Sequence, residues 1–403
     1  MNIGIIMHSY LPNIGGAQIS AHCLAHSLVK LGHNVVVFSE NSLVKACKEK
    51  DWHFSYDHEG VFRIPGKIQN QLIRFVPELW TKIMAAMICP KIKKFNLDVI
   101  QIVFAWPWLP VTLEIKKKTG LPVVIRCAGD DIQVNSSVNY GIRKDTNKTK
   151  AMKRGFNEID RAIAISKTVS EEYMNIGVKE EKIVEIPPGV DWHEFQNYGT
   201  PVNVIRKKWG IPLDKKVIIS VGRNHPKKGF KDLIDALPIL NAKKDEFVVV
   251  IVGKETDQLI PNSQAKGVAD QFYPINEVSS VEKGQLGSFP SIELIELYKA
   301  SDYFVLPSYI ETYANVALEA MAAGIPAIVT DAPGCIDTVI DKYDGLIIPV
   351  NSPEIIADKI WQLKNDTNLE KNIIKHGYLK AELQDWDHIA EKYLEVYEKL
   401  IHL

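Results

Sequence analysis

Short runs rich in valine and isoleucine, each followed by a helical or loop segment, occur in two successive series and constrain the fold more than any other feature. The first series is Ile3–Met7, Asn34–Phe38, Asp98–Phe104, Pro122–Ile125, Arg161–Ile165 and Ile183–Ile186. The second is Val217–Val221, Phe247–Val252, Tyr303–Leu306, Ala327–Thr330 and Leu346–Ile348, with helices expected over Phe230–Leu240, Ile292–Ala300 and Asn315–Ala323. Runs that are apolar throughout suit strands covered on both faces, and strands alternating with helices build doubly wound parallel sheets. A chain of 403 residues also exceeds one typical core. Pro187-Pro188-Gly189 and a polar stretch through Thr200 and Pro201 punctuate the passage between the series. Helices over Pro353–Leu363, Leu369–Tyr378 and Trp386–Leu400 complete the chain. The expectation is an α/β protein with Rossmann-like domains over 1–195 and 196–380 and a tail helix over 381–403. Residues 253–291, punctuated by Gly284, Gly287 and Pro290, read as a long polar loop.

In such sheets a ligand sits beyond the carboxyl ends of the strands, and with two of them the natural site is a cleft between the domains. One strand end leads into Pro307-Ser308-Tyr309-Ile310-Glu311-Thr312-Tyr313-Ala314-Asn315-Val316-Ala317-Leu318-Glu319. If helical, the eight steps from Glu311 to Glu319 rise roughly 12 Å. That separation suits two parts of one extended ligand, such as the sugar and the ribose of a nucleotide sugar, because an ionised carboxylate accepts hydrogen bonds from hydroxyls. Spacing alone also fits two surface glutamates on an ordinary helix.

Gly222-Arg223-Asn224-His225-Pro226-Lys227-Lys228-Gly229 follows the first strand of the second series. An arginine fork and a mobile lysine there can clamp a diphosphate, and Lys227 competes with Lys228 for that part. Gly253-Lys254 offers another backbone approach, and Asp331-Ala332-Pro333-Gly334-Cys335 reads equally as a plain turn. Gly15-Gly16 opens a helix after the first strand and lets a pyrophosphate or sugar approach the backbone. Neither the G-x-G-x-x-G dinucleotide spacing nor a P-loop is present, which disfavours a nicotinamide-dependent dehydrogenase.

Net charge is -1, yet residues 1–190 hold 25 Lys and Arg against 18 Asp and Glu, a net of +7. A positive first half can face anionic lipid or a phosphate-bearing acceptor, although solvated charge explains it as well. The segment Ile68–Phe95 mixes Leu72, Ile73, Phe75, Trp80, Ile83, Met84 and Met87 with basic residues, the composition of either a core helix or a membrane-touching one. No signal-peptide pattern or apolar run of membrane-spanning length occurs, and Cys23, Cys47, Cys89, Cys127 and Cys335 are dispersed, as buried thiols of a reducing compartment would be. The expected location is therefore the cytoplasm, with association at the inner face of the plasma membrane. The histidines and the acidic pairs Asp130-Asp131 and Asp385-x-Asp387 form no recognisable ligand set, so neither a metal nor a nucleic-acid partner is expected.

Gly15-Gly16, Gly222-Arg223, Lys228-Gly229, Pro307-Ser308, the Glu311–Glu319 pair and Glu319-Ala320-Met321-Ala322-Ala323-Gly324-Ile325-Pro326 resemble the retaining glycosyltransferases of family 4, which have the GT-B fold. The resemblance spans nearly the whole chain and is strongest over 216–350. It implies two Rossmann-like domains facing a cleft, with the C-terminal helix crossing back onto the first. Glu319 would hold the ribose hydroxyls and Glu311 the donor-sugar hydroxyls. Arg223 and Lys228 would bind the diphosphate, Gly15 and Gly16 would approach the sugar phosphate, and Asn315 would belong to the donor site. The implied activity is transfer of a hexose-type unit from a UDP- or GDP-sugar, without a further cofactor, to a glycan or lipid-linked glycan in cell-surface polysaccharide synthesis. Where relatives carry His-Gly-x-Asp, this chain has Arg126-Cys127-Ala128-Gly129-Asp130-Asp131, with Ala128 in the histidine position and Arg126 or Asp131 as alternative contacts. A nucleotide-sugar epimerase and a non-catalytic partner subunit are the competing readings.

Overall fold

The computed structural model describes all residues except 12–14, 41–59, 65–72, 74–75, 243–245, 277, 279–280, 283–284, 287–288 and 403. Two compact units emerge, Met1–Pro188 with Val281–Leu286 and Trp386–Leu403, and Gly189–Ser280 with Gly287–Asp385.

In the first unit the elements run β1 (Asn2–Met7), α1 (Gly16–Lys30), β2 (Asn34–Glu40), β3 (Gly60–Ile64), α2 (Pro77–Lys94), β4 (Val99–Val103), α3 (Trp108–Thr119), β5 (Val123–Arg126), α4 (Thr146–Phe156), β6 (Arg161–Ala164), α5 (Lys167–Ile176) and β7 (Ile183–Glu185). Their sheet has the order β3-β2-β1-β4-β5-β6-β7, and its paired strands are parallel. Ile3, Ile5 and Ile6 of β1 pair with Val35, Val37 and Phe38 of β2. All six are buried, as strands covered on both faces require.

The second unit continues with α6 (Trp192–Asn197), α7 (Val202–Lys208), β8 (Lys216–Val221), α8 (Phe230–Leu240), β9 (Phe247–Val252), α9 (Ile260–Ala265) and β10 (Phe272–Ile275). The two-residue strands β11 (Val281–Glu282) and β12 (Gln285–Leu286) then pair as an antiparallel hairpin, grouped with the first unit. After it come α10 (Ile292–Lys299), β13 (Tyr303–Leu306), α11 (Asn315–Ala322), β14 (Ala327–Thr330), β15 (Leu346–Ile348), α12 (Pro353–Asn365), α13 (Thr367–Leu383) and α14 (Trp386–Ile401). The second sheet is parallel with the order β10-β9-β8-β13-β14-β15. Strand order reverses between β8 and β13, which is where a doubly wound sheet opens a ligand crevice. Phe230, Leu233, Ile234, Leu237 and Leu240 line the buried face of α8 and share one core with Ile356, Ile360 and Leu363 of α12.

Residues 253–291 are not one long loop. They hold a 3-10 turn over Thr256–Leu259, then α9, β10 and the hairpin; Gly284 and Gly287 lie outside the described residues. Asp366 caps α13 by accepting from the Leu369 amide at 3.0 Å, which starts that helix two residues before Leu369. Asp385 accepts from the Trp192 amide at 3.1 Å. The tail helix α14 returns to the first unit, as expected, burying Trp386, Ile389, Ala390, Tyr393, Val396 and Tyr397 and packing on α1. Cys23, Cys127 and Cys335 are buried and Cys89 is half-buried; Cys47 lies outside the described residues.

Candidate active site

The loops that leave β8, β9, β13 and β14 at their carboxyl ends are tied to one another through backbone groups. The Tyr309 amide donates to Lys227 O at 2.7 Å, joining the β13 loop to the β8 loop. The Asn224 amide donates to Lys254 O at 2.9 Å, which gives Gly253-Lys254 a bracing role beside β8. On the other side, the Glu311 amide donates to Pro333 O at 2.9 Å. Gly334 completes that seat: its φ is +78° and a Cβ there would stand 1.9 Å from Glu311 O. The Asp331–Cys335 segment is therefore the bed on which Glu311 rests. Thr330 donates its hydroxyl to Ser308 O at 2.5 Å and fixes the start of the same loop.

Held in this way, Glu311 is buried at 7% exposure. Its Oε1 accepts from Lys228 Nζ at 2.6 Å and Ser308 Oγ at 3.0 Å, and its Oε2 accepts from Lys227 Nζ at 3.2 Å. Burial pushes this carboxyl up, but the Lys228 and Lys227 charges and the hydrogen bonds from Lys228 and Ser308 outweigh it and hold the pKa at about 2. Both candidate lysines thus meet one carboxylate. Arg223 is exposed, at the same strand end. His225 is shifted down by burial and then by Arg223, Lys227 and Lys228. A neutral ring matches its hydrogen bond, since Nδ1 accepts from the Lys227 amide at 3.2 Å.

Only from Asn315 onward is the Glu311–Glu319 segment helical, so the helical rise applies to half the steps between the two carboxylates. Glu311 itself sits in the loop that precedes this helix. Glu319, half-buried on α11, faces Tyr298 of α10, whose hydroxyl lies 2.8 Å from Oε2 and 3.2 Å from Val316 O. Burial raises this carboxyl, against smaller opposing effects of the Tyr298 hydrogen bond and the Lys228 charge, to about 7. Asn315 Oδ1 is buried and has no hydrogen-bond partner among the described residues. Ser308 and Tyr298 were not singled out from the sequence. Ser308 lay within the motif, three residues from Glu311, whereas Tyr298 comes from a preceding helix and only the fold brings it to Glu319.

In the first unit, a cavity of ≈ 1430 Å³ opens at the carboxyl ends of β1, β4 and β5, again where strand order reverses. His8, Ser9 and Gln18 line it from the β1 side, Phe104 and Trp106 from β4, and Asp130 from β5. Gly15 caps α1 with extended backbone (φ -168°), and the first turn of α1 has no side-chain cap, so its amides face outward along the helix axis. Asp131 is fully buried and accepts from the backbone amides of Ala105 at 2.9 Å, Gly129 at 3.1 Å and Ala128 at 3.3 Å. Arg126 is buried against Tyr393 of α14. Both residues therefore shape the loop, and Asp130 is the group of this segment that reaches the cavity. Among the described residues no group of three or more His, Cys, Asp or Glu side chains is placed to hold a metal ion.

Comparison with known proteins accounts for both units. A profile described as Glycosyltransferase Family 4 matches residues 14–194, and one described as Glycosyl transferases group 1 matches residues 202–380. An uncharacterised glycosyltransferase of Methanocaldococcus jannaschii is 26% identical over 99% of this chain and 98% of its own length. The N,N'-diacetylbacillosaminyl-diphospho-undecaprenol alpha-1,3-N-acetylgalactosaminyltransferase of Campylobacter jejuni is 28% identical over 62% of this chain and 63% of that one. Among solved structures, Anabaena HepE in complex with UDP superposes with a TM-score of 0.77 at 17% identity, covering 99% of this chain and 100% of that one. With the fold, the two profiles and a full-length relative in agreement, the chain belongs to the GT-B glycosyltransferases, consistent with family 4.

Proposed function

We propose that this protein transfers a hexose-type sugar, with retention of configuration, from a UDP- or GDP-sugar to a lipid-linked glycan during cell-surface polysaccharide synthesis at the cytoplasmic face of the membrane. The observation that carries the reading is Glu311, kept ionised between Lys227 and Lys228 at the carboxyl ends of β8 and β13. An ionised, buried carboxylate accepts hydrogen bonds from sugar hydroxyls and is fixed in place before the ligand arrives. Lys228 Nζ has three hydrogens, and the bond to Glu311 uses one, leaving donors for a diphosphate oxygen. Arg223 adds a planar fork from the same strand end. Asn315 Oδ1 suits a ligand hydroxyl, and Glu319 suits the ribose.

In the proposed reaction the acceptor hydroxyl attacks the anomeric carbon from the face that the diphosphate leaves. The sugar–phosphate bond breaks as the new glycosidic bond forms, and the acceptor proton passes to the departing phosphate oxygen. Lys228 and Arg223 stabilise the charge that develops there. Glu311 positions the sugar and forms no bond to it. Two similar proteins favour these substrates: HepE has been solved in complex with UDP-glucose, and the Campylobacter enzyme is named for a diphospho-undecaprenol-linked acceptor.

The test is nucleotide release from UDP-, GDP- and ADP-sugars with and without a lipid extract of the source cell, followed by the anomeric configuration of the product. Extract-dependent release from one donor with a retained anomer is the expected result. Interconversion of donors without extract would make the protein an epimerase. Failure of every donor to bind would make it a non-catalytic subunit.

A further inference from the structure

Helix α2 has two apolar faces, and only one of them is covered. Trp80, Met84, Ala85, Ile88 and Ile92 are buried in the first unit. On the adjoining, outward-facing arc Val76, Leu79, Ile83 and Met87 recur at helical spacing and are 41%, 51%, 37% and 44% exposed. An amphipathic surface helix ordinarily turns polar residues outward. This one turns a second apolar stripe outward, while its charges lie along the margins. At about 100° per residue, Lys82 and Lys93 border one side of the stripe and Lys91 the other, and Lys94 closes the end. Against these four lysines the helix has a single acid, Glu78.

We infer that the outer face of α2 docks in the headgroup layer of an anionic lipid bilayer. Apolar side chains along the midline with lysines on both borders are what an interfacial helix presents, because lysine stems lie along the acyl boundary while their ammonium groups reach the phosphates. Eighteen residues at 1.5 Å rise give about 27 Å of helix lying in the plane. No helix among the described residues is long and apolar enough to cross a membrane. The net +7 of residues 1–190 adds attraction of the same sign. A second copy fits this face poorly, since pairing stripe to stripe would bring four lysines per helix together.

Docking on this face also places the cavity. Pro77, Glu78, Thr81 and Lys82, from the first turns of α2, line the ≈ 1430 Å³ cavity of the first unit. A helix lying in the headgroup layer therefore brings that cavity to the depth at which a lipid-linked glycan emerges. The inference deepens the acceptor reading above, but its test requires no turnover, so either can fail alone.

The test is cosedimentation of the full chain with vesicles of phosphatidylcholine alone and with 30% phosphatidylglycerol (about the anionic content of a charged leaflet), at low and high salt. Binding to the anionic vesicles that weakens with salt is expected. The triple variant Leu79→Glu, Ile83→Glu, Met87→Glu should lose at least about tenfold in partitioning with an unchanged thermal midpoint. The pair Lys82→Gln and Lys93→Gln, which leaves the stripe intact, should lower binding mainly at low salt. Equal binding of wild type and triple variant, or no binding of wild type to anionic vesicles, would overturn the inference. So would a concentration-dependent dimer that the triple variant abolishes, which would assign the face to self-association.

Discussion

Glu311 and Glu319 are held in opposite ionisation regimes although both are carboxylates of one short segment. Glu311 has two lysines and a serine hydroxyl against it, so its pKa falls from 4.5 to about 2. The stabilisation this contributes is fully present above pH 4.5 and is lost as the pH falls through 2, and amounts to on the order of 3 kcal/mol. Denaturant unfolding of wild type and Glu311→Gln should therefore differ most at neutral pH, with the gap closing between pH 4.5 and 2. The same variant should reduce sugar transfer by about 100-fold or more, since it removes a preorganised charge from the site, while affinity for free nucleotide changes little. Glu319 meets a tyrosine hydroxyl instead of a cation, and burial lifts its pKa from 4.5 to about 7. A carboxyl that accepts two ribose hydroxyls works best ionised. Calorimetric affinity for UDP should consequently rise between pH 6 and 8 in the wild type. In Glu319→Gln it should be weaker and flat across that range.

At the scale of loops and strands, the site depends on how closely the β14 loop approaches Glu311. Gly334 and Gly324 provide an internal comparison, with φ values of +78° and +77°. A Cβ at Gly324 meets nothing within 4 Å, whereas at Gly334 it stands 1.9 Å from Glu311 O. Gly324→Ala should cost about 1–2 kcal/mol, the left-handed backbone penalty alone, and leave turnover intact. Gly334→Ala should cost clearly more in urea unfolding and should also lower turnover, because relieving the clash moves Glu311. The same scale explains which elements the sequence shows. Interior strands such as β1, β8 and β9 are covered on both faces, and their unbroken valine and isoleucine runs are visible at once. The edge strands β3 and β10 escaped notice. Phe272-Tyr273-Pro274-Ile275 is half-covered and contains a proline, which a strand tolerates at an edge, where one row of amides has no ladder partner. The Pro307–Glu319 motif was legible for the same reason as the interior strands, since its residues are contiguous. Lys227 was recognised only as a rival to Lys228, and Tyr298 not at all, because Lys227 meets Glu311 across loops from two strands and Tyr298 meets Glu319 across two helices.

For the molecule as a whole, chain order and spatial order differ at the C-terminus. The first unit is built mainly from residues near the start of the chain, yet its cover over α1 is α14, a helix that follows the second unit in sequence. On α14, Trp386, Ile389, Tyr393, Val396 and Tyr397 are buried together, and the Tyr397 hydroxyl donates to Gln101 of β4 inside the first sheet. At roughly 1.5–3 kcal/mol for each large apolar side chain, this burial is comparable to the entire folding free energy of a domain, about 5–15 kcal/mol. The first unit therefore cannot reach full stability until α14 has been made, even though domains are commonly completed from the N-terminus onward. A chain ending at Asp385 tests this directly by amide hydrogen exchange. Protection should fall sharply across β1–β7, whose cover is gone, and persist across β8–β10 and β13–β15 of the second unit. Free-nucleotide binding should survive the truncation, because the side-chain partners described above for Glu311 and Glu319 lie within residues 227–319. If protection fell equally in both units, α14 would be a strut of the whole fold and the division into two separately stabilised units would fail.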